Sequence, residues 1–335
     1  MSTTVFIPDI HGDVDALKRS LDKSDIVDCL GDDVVSAKED ADIVILGDIW
    51  DRGDSNKKVI DLLMQLRTIF KITFIAGNHD AVMLDALIGS KDPRSICQWL
   101  LNGGYSVLAE MSETHNFPKL QKSNYDFPIS LEHLEIDKQL SKTSLWVQRI
   151  SDTHYDNIDF REALNRAPEI LCSKANLEIF RRMQLVHRCC HGVLAVHSMI
   201  TPECANNLDA YEKYTLGTAI DDRRISEVSD WDILSKRTGA GEDFITEATA
   251  KILLHASHPV VVHGHNIIQS GIPVVQDCHG VLEINLDVGI SHYFHHGNFA
   301  YIKINKMGEI TVGSKKGGIQ KVGYIRNGSF HPAAA

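Results

Sequence analysis

The sequence predicts an α/β fold, and two observations carry that prediction. Short apolar runs alternate with polar, helix-like stretches through the N-terminal quarter, and each apolar run ends at a junction containing Gly or Pro and rich in Asp, His and Asn. Such alternation implies βαβ units, with a central sheet covered by helices. Residues 5–7 read as a buried strand, 14–21 as a helix, 42–46 as a strand, 57–70 as a helix and 72–75 as a third strand. In open α/β sheets the ligand crevice lies beyond the carboxyl ends of the strands, so chemistry is expected in the residues that follow them.

Further along, residues 81–111 are helical in pattern, with breaks at 89–93 and 102–104. Residues 112–168 are polar and read as a partly helical insertion over one end of the sheet. A helix over 176–185 leads into a hairpin, 186–190 and 193–197, turned at His191-Gly192. A second polar insertion spans 201–242, a helix follows over 244–256, and strands are expected at 260–263, 274–276, 281–286, 300–304 and 310–312. There is no internal repeat, and residues 1–330 read as one domain with two insertions.

The composition bounds the function. A chain of 335 residues, 43% hydrophobic and 24% charged, buries a substantial core, which excludes disorder as its main state. No run approaches the roughly 20 apolar residues of a membrane span, and residues 1–13 lack the basic-then-apolar order of a secretion signal. A soluble, cytoplasmic chain is expected, its oligomeric state left open. The seven cysteines form no CxxC pair, so thiols are expected to be reduced. A net charge of −11 argues against nucleic acid as the main partner. An acidic protein still binds phosphate when metal ions supply local positive charge. The 17 histidines point the same way, since several sit beside Gly or Asp.

Three junctions concentrate the unusual residues: Asp9-Ile10-His11-Gly12-Asp13, Gly47-Asp48-Ile49-Trp50-Asp51-Arg52-Gly53 and Gly77-Asn78-His79-Asp80. Asp9 and His11, separated by one residue at the end of a strand, point to one side because strand side chains alternate with period two, and so can share an ion. A mixed Asp/His/Asn set suits manganese, iron or zinc better than calcium or magnesium. Each motif alone is weak, because DxH is common, GNHD could be a plain turn and DRG a capping turn. Three in this order, each directly after an expected strand, are a much stronger signal.

Together they resemble the phosphoprotein phosphatase family of binuclear metallophosphoesterases, whose motifs are GDxHG, GDxxDRG, GNHE or GNHD, a histidine in HGG or HAG, and GHT. In this chain they stand as PDIHG, GDIWDRG, GNHD, Val196-His197-Ser198-Met199 and His263-Gly264-His265-Asn266. The segment 99–104 (WLLNGG) and the segment 284–289 (INLDVG) are similar to signatures of bacterial members. The resemblance implies a four-layer α/β/β/α sandwich of the calcineurin-like type. It implies two divalent metal ions, most readily Mn2+, with Fe, Zn, Ni and Co as alternatives. Asp9 and His11 would hold the first ion, Asp48 would bridge both, and Asn78, His197 and His265 would complete the second. The expected reaction is in-line attack of a metal-bridging hydroxide on a phosphomonoester, with no covalent intermediate. His79 would act as general acid, with Asp51 fixing its tautomer and favouring its charged form, and Arg52 would grip the phosphate oxygens.

Arg223 and Arg224 lie where the family often places a second phosphate-binding arginine, and Tyr293 lies where it can place an active-site aromatic. With Arg52 and Asn78 they are the candidate substrate contacts. His263, two residues from His265 and so on its side of the strand, reads as a support for it and not as a ligand, His295-His296 as a solvated turn, and Cys189-Cys190 with His187 as core. A phosphorylated protein or peptide is the expected substrate, a dinucleoside polyphosphate the alternative. A non-catalytic relative should lack a ligand or the acid, and here every such position is filled.

Overall fold

In the computed structural model the described residues are 2–30, 33–89, 93–104, 106–108, 110, 167–168, 171, 174–228, 232–236, 244–292 and 299–333. The first expected insertion, apart from 167–168, lies outside them, as do Tyr293 and His295-His296. In chain order the strands are β1 (Thr3–Ile7), β2 (Val27–Leu30), β3 (Asp33–Ala37), β4 (Ala41–Ile45), β5 (Lys71–Phe74), β6 (Val186–Arg188) and β7 (Val193–Val196). They continue as β8 (Val260–His263), β9 (Val274–Cys278), β10 (Val281–Asn285), β11 (Ala300–Ile304), β12 (Glu309–Ser314), β13 (Gly318–Arg326) and β14 (Ser329–Pro332).

These strands form a seven-stranded sheet ordered β14-β13-β12-β11-β1-β4-β5, a five-stranded sheet ordered β6-β7-β8-β10-β9, and a separate β2-β3 hairpin. Period-two alternation produces the layers. Phe6, Val44, Ala195, Val262 and Ile284 form one cluster between the two sheets, while their neighbours Val5, Ile43, Leu194 and Val261 belong to a second cluster with the helices. Helix α1 (Val14–Lys23) buries Val14, Leu17 and Leu21 on one stripe, and Asp13 caps it by accepting from the Ala16 amide at 2.8 Å. Helix α2 (Asn56–Leu66) buries Val59, Leu63 and Leu66 in the same cluster. The outcome is the expected α/β/β/α sandwich. Among the described residues no helix is long and apolar enough to cross a membrane.

Element boundaries differ in instructive ways. The helical stretch expected over 81–111 begins three residues earlier, as α3 (Asn78–Leu87) and α4 (Pro93–Trp99), with a π turn at Leu100–Gly104 where Gly103 takes φ 115°. Within 201–242 lie short helices, among them Pro202–Asn206, Leu208–Lys213 and Leu216–Asp221. The hairpins β2-β3 and β13-β14 were not expected; β13 is mostly exposed, so its pattern lacks a buried face to read.

Candidate active site

Five strands aim their carboxyl ends at one place. β1, β4 and β5 run parallel in the first sheet, and β7, β8 and β10 run parallel in the second. Asp9 follows β1, Asp48 follows β4, Asn78 follows β5, His197 follows β7 and His265 follows β8. The ligand atoms of His11, Asp48 and His79 lie within 4.8 Å of one another, and so do those of Asp48, His197 and His265. Asn78 Oδ1 is 3.2 Å from His197 Nε2, and Asp9 Oδ2 accepts from the His265 amide at 3.0 Å. All six expected ligands therefore converge, with Asp48 common to both groups.

Turns, rather than strand alternation, bring them together. β1 ends two residues before Asp9, and His11, Asp48, Asp51, Arg52 and His265 adopt left-handed φ values of 47°, 47°, 74°, 66° and 64°. Such conformations cost about 1–3 kcal/mol each and persist only where the surroundings over-determine them. Here the Ile10 and His11 amides donate to the Asp48 carbonyl at 3.1 and 2.8 Å. The Asp80 carboxylate receives the amides of Asp48, Ile49 and Gly77 at 3.0, 3.2 and 3.0 Å, tying two junctions together. Gly47 takes φ 101° with no room for a side chain: a Cβ there would lie 2.6 Å from His197 Nδ1.

Arg52 and His79 occupy one flank. The Arg52 guanidinium donates to His11 Nε2 at 3.2 Å and to His79 Nε2 at 3.0 Å. His79 Nδ1 donates to Asp51 Oδ2 at 2.9 Å and His11 Nδ1 to the Trp50 carbonyl at 3.2 Å, so both rings carry the proton on Nδ1 and turn the Nε2 lone pair to the guanidinium. The WLLNGG segment, placed by resemblance alone, has a physical task here. Trp99 Nε1 donates to the other Asp51 oxygen at 2.9 Å, while Asn102 and Gly103 carbonyls accept from Arg52 Nε and amide at 3.4 and 3.1 Å.

Burial and neighbouring charge set opposite states across Asp48. Burial, aided by the Arg52 guanidinium, drives the His11 imidazole down to about 3. Burial also holds His79 well below the usual range, and Arg52 adds to this, so the tautomer expected from Asp51 is present but the charged form is not favoured. On the far side burial opposes the charge on His197, yet the Asp48 and Asp9 carboxylates outweigh it and carry its pKa up to about 10. Burial works against ionised Asp48 as well, but the His197 imidazole, through its charge and a hydrogen bond, holds its carboxyl well below the ordinary value. Burial and the Asp287 carboxylate push Asp9 well above it, and Asp9 Oδ1 is buried with no hydrogen-bond partner.

Two expected features differ. Arg224 directs its guanidinium to Glu227 at 2.8 Å on the surface and Arg223 is exposed; among the described residues neither contacts the cluster. Ser198, where the resemblance expects Gly or Ala, anchors residues of the second insertion: its amide donates to the Ile233 carbonyl at 3.1 Å and its hydroxyl to the Lys236 carbonyl. The same segment supplies the Ser235 carbonyl that accepts from His265 Nε2 at 3.1 Å.

With the geometry in view, the comparisons are specific about family. No curated protein matches the chain in sequence. Among solved structures it is similar to a cold-active protein tyrosine phosphatase at 16% identity and TM-score 0.55, over 99% of this chain and 81% of that one. A cold-active protein-tyrosine phosphatase of a psychrophilic Shewanella species is similar at 16% identity and TM-score 0.55, over 96% of this chain and 80% of that one. At these identities the likeness is one of fold. The profile of the calcineurin-like phosphoesterase family matches residues 2–269, which take in β1 through the His265 loop. The chain thus belongs to the calcineurin-like phosphoesterase family and is a hydrolytic enzyme of phosphate esters.

Proposed function

We propose that this enzyme is a metal-dependent phosphomonoesterase with a binuclear centre, acting on phosphorylated protein or peptide side chains. The observation that carries the reading is the convergence of Asp9, His11, Asp48, Asn78, His197 and His265 around one shared carboxylate, with Arg52 and His79 on one flank. The donor set fits divalent cations: two carboxylates, three imidazoles and an amide oxygen, drawn from the loops that follow five strands, with Asp9 Oδ1 buried and unpartnered. Asp9 and His11 would share the first ion with Asp48, and Asn78, His197 and His265 would share the second. Mn2+ is the first choice of metal. When bound, the ions supply Lewis acidity toward the phosphate oxygens and lower the pKa of coordinated water.

The chain's own groups do the rest. Arg52, braced by the Asn102 and Gly103 carbonyls, presents a planar guanidinium suited to two phosphate oxygens. Turning to phosphate would release His11 Nε2 and His79 Nε2 from the guanidinium. Freed from the guanidinium and facing the phosphate's negative charge, His79 would take a proton from solvent on Nε2, keep Nδ1 on Asp51, and hand that Nε2 proton to the leaving-group oxygen. Protein substrates are favoured because WLLNGG leans toward bacterial protein phosphatases and two solved structures of similar fold, each at TM-score 0.55, are protein tyrosine phosphatases.

Measuring phosphate release from phosphoserine, phosphothreonine and phosphotyrosine peptides alongside release of ADP, or of AMP and ATP, from diadenosine tetraphosphate tests the substrate. Turnover of a phosphopeptide at the higher kcat/KM supports the reading. Preference for the dinucleotide would move the assignment to dinucleoside polyphosphate hydrolysis, and no turnover of either would move it to another class of phosphate ester.

A further inference from the structure

The chain carries a second buried polar group one strand behind the site. β8 ends at His263, and His265 in its left-handed turn leaves the strand direction, so the two histidines separate instead of sharing a side. His263 is 1% exposed. Its ring lies on Phe244 with centroids 3.7 Å apart at 10°, its Nε2 donates to Glu283 Oε1 at 2.9 Å, and its Nδ1 donates to the Gly264 carbonyl at 3.0 Å. Glu283, 3% exposed in the middle of β10, also receives Gln276 Nε2 at 2.6 Å and Cys278 Sγ at 3.1 Å. Two residues along β10, Asn285 donates through Nδ2 to the Asn266 carbonyl at 2.8 Å and accepts from the Asp287 amide at 3.0 Å.

The carbonyls on either side of His265 are thus each held by a side chain, and both restraints trace to alternate residues of one strand. Left-handed backbone at a histidine needs such over-determination. Gly264 is equally constrained, because a Cβ there would lie 2.0 Å from Asp9 Oδ1. A buried charged group with every partner satisfied is seldom retained for stability alone, since hydrophobic replacements of similar volume are often neutral or better.

We propose that Glu283, acting through His263, together with Asn285, are positioning residues that hold the loop carrying His265 in metal-binding geometry. The proposal rests on the binuclear reading above. It is tested by titrating Mn2+ calorimetrically into the chelator-treated full chain and following thermal unfolding of the same samples. The pair His263→Phe with Glu283→Leu keeps the ring on Phe244 and removes the buried charge. The expected result is a melting temperature close to that of the wild type, with one of two Mn2+ ions bound about 10-fold or more weakly. Glu283→Gln, which retains an acceptor for His263, should recover most of that affinity. Asn285→Leu should weaken the same ion and decides the matter if the double variant does not fold. Unchanged binding of both ions in the double variant, or in Asn285→Leu where the double variant does not fold, overturns the proposal while leaving the proposed function intact. A wild-type chain that fails to take two ions sinks the proposed function itself.

Discussion

His11 and His197 lie on opposite sides of one carboxylate and are equally buried, at 2% and 0% exposed, yet their imidazoles are driven to about 3 and about 10. Burial is common to both and cannot explain the difference. His11 faces the Arg52 guanidinium, whereas His197 faces Asp48 with Asp9 close by. The first sheet thus contributes a flank governed by a fixed cation, and the second a flank governed by carboxylates. A phosphate ester needs both: a cation to take its oxygens on one side, and a carboxylate-rich bed able to neutralise added positive charge on the other.

Removing His79 should affect turnover most. His79→Asn is expected to lower kcat for p-nitrophenyl phosphate about 10²–10⁴-fold, with the bound-metal count unchanged by elemental analysis. A rate equal to wild type would remove the acid from the Arg52 flank.

The two histidines should also pull stability in opposite directions with pH. In chelator-treated protein His197, raised to about 10, contributes stability that is full below its unfolded value near 6.5 and is lost as pH rises toward 10. His11, lowered to about 3, contributes stability present above 6.5 and lost as pH falls toward 3. Melting temperature against pH should therefore show a maximum near 6.5 from this pair. His197→Gln should flatten the alkaline limb and His11→Gln the acid limb. Identical effects of the two variants on one limb would erase the contrast.

Gly47→Ala should cost about 1–3 kcal/mol in denaturant unfolding, because left-handed backbone and the His197 ring both exclude a methyl group. Trp99→Phe should have the smallest effect, about 0.5–1.5 kcal/mol from the bond lost to Asp51. It should also lower kcat more than it raises KM, which steady-state kinetics would show.

The two flanks differed in legibility as well. Asp9, His11, Asp48, Asp51, Arg52, Asn78 and His79 follow short apolar strands in three contiguous motifs, so their grouping could be read from order and spacing. His197 and His265 lie beyond long polar segments, and only the resemblance selected them from 17 histidines. His263 and His265 illustrate the limit: periodicity placed them on one side, and the left-handed turn at His265 sent them apart. Bonds such as Trp99 to Asp51, or Asp80 to three amides of neighbouring loops, have no local signature because they exist only once distant segments meet. The helix–strand alternation that shows the sandwich was visible from the start. The β13-β14 extension was not, since its residues are mostly exposed and carry no apolar stripe.

In the proposed centre Asp48 lies between two cations. Anomalous diffraction from crystals soaked in Mn2+ tests it directly. The expected map has two peaks about 3.5–4 Å apart, both touching Asp48, one beside Asp9 and His11 and the other beside Asn78, His197 and His265. A single peak, or two that leave Asp48 untouched, would contradict it.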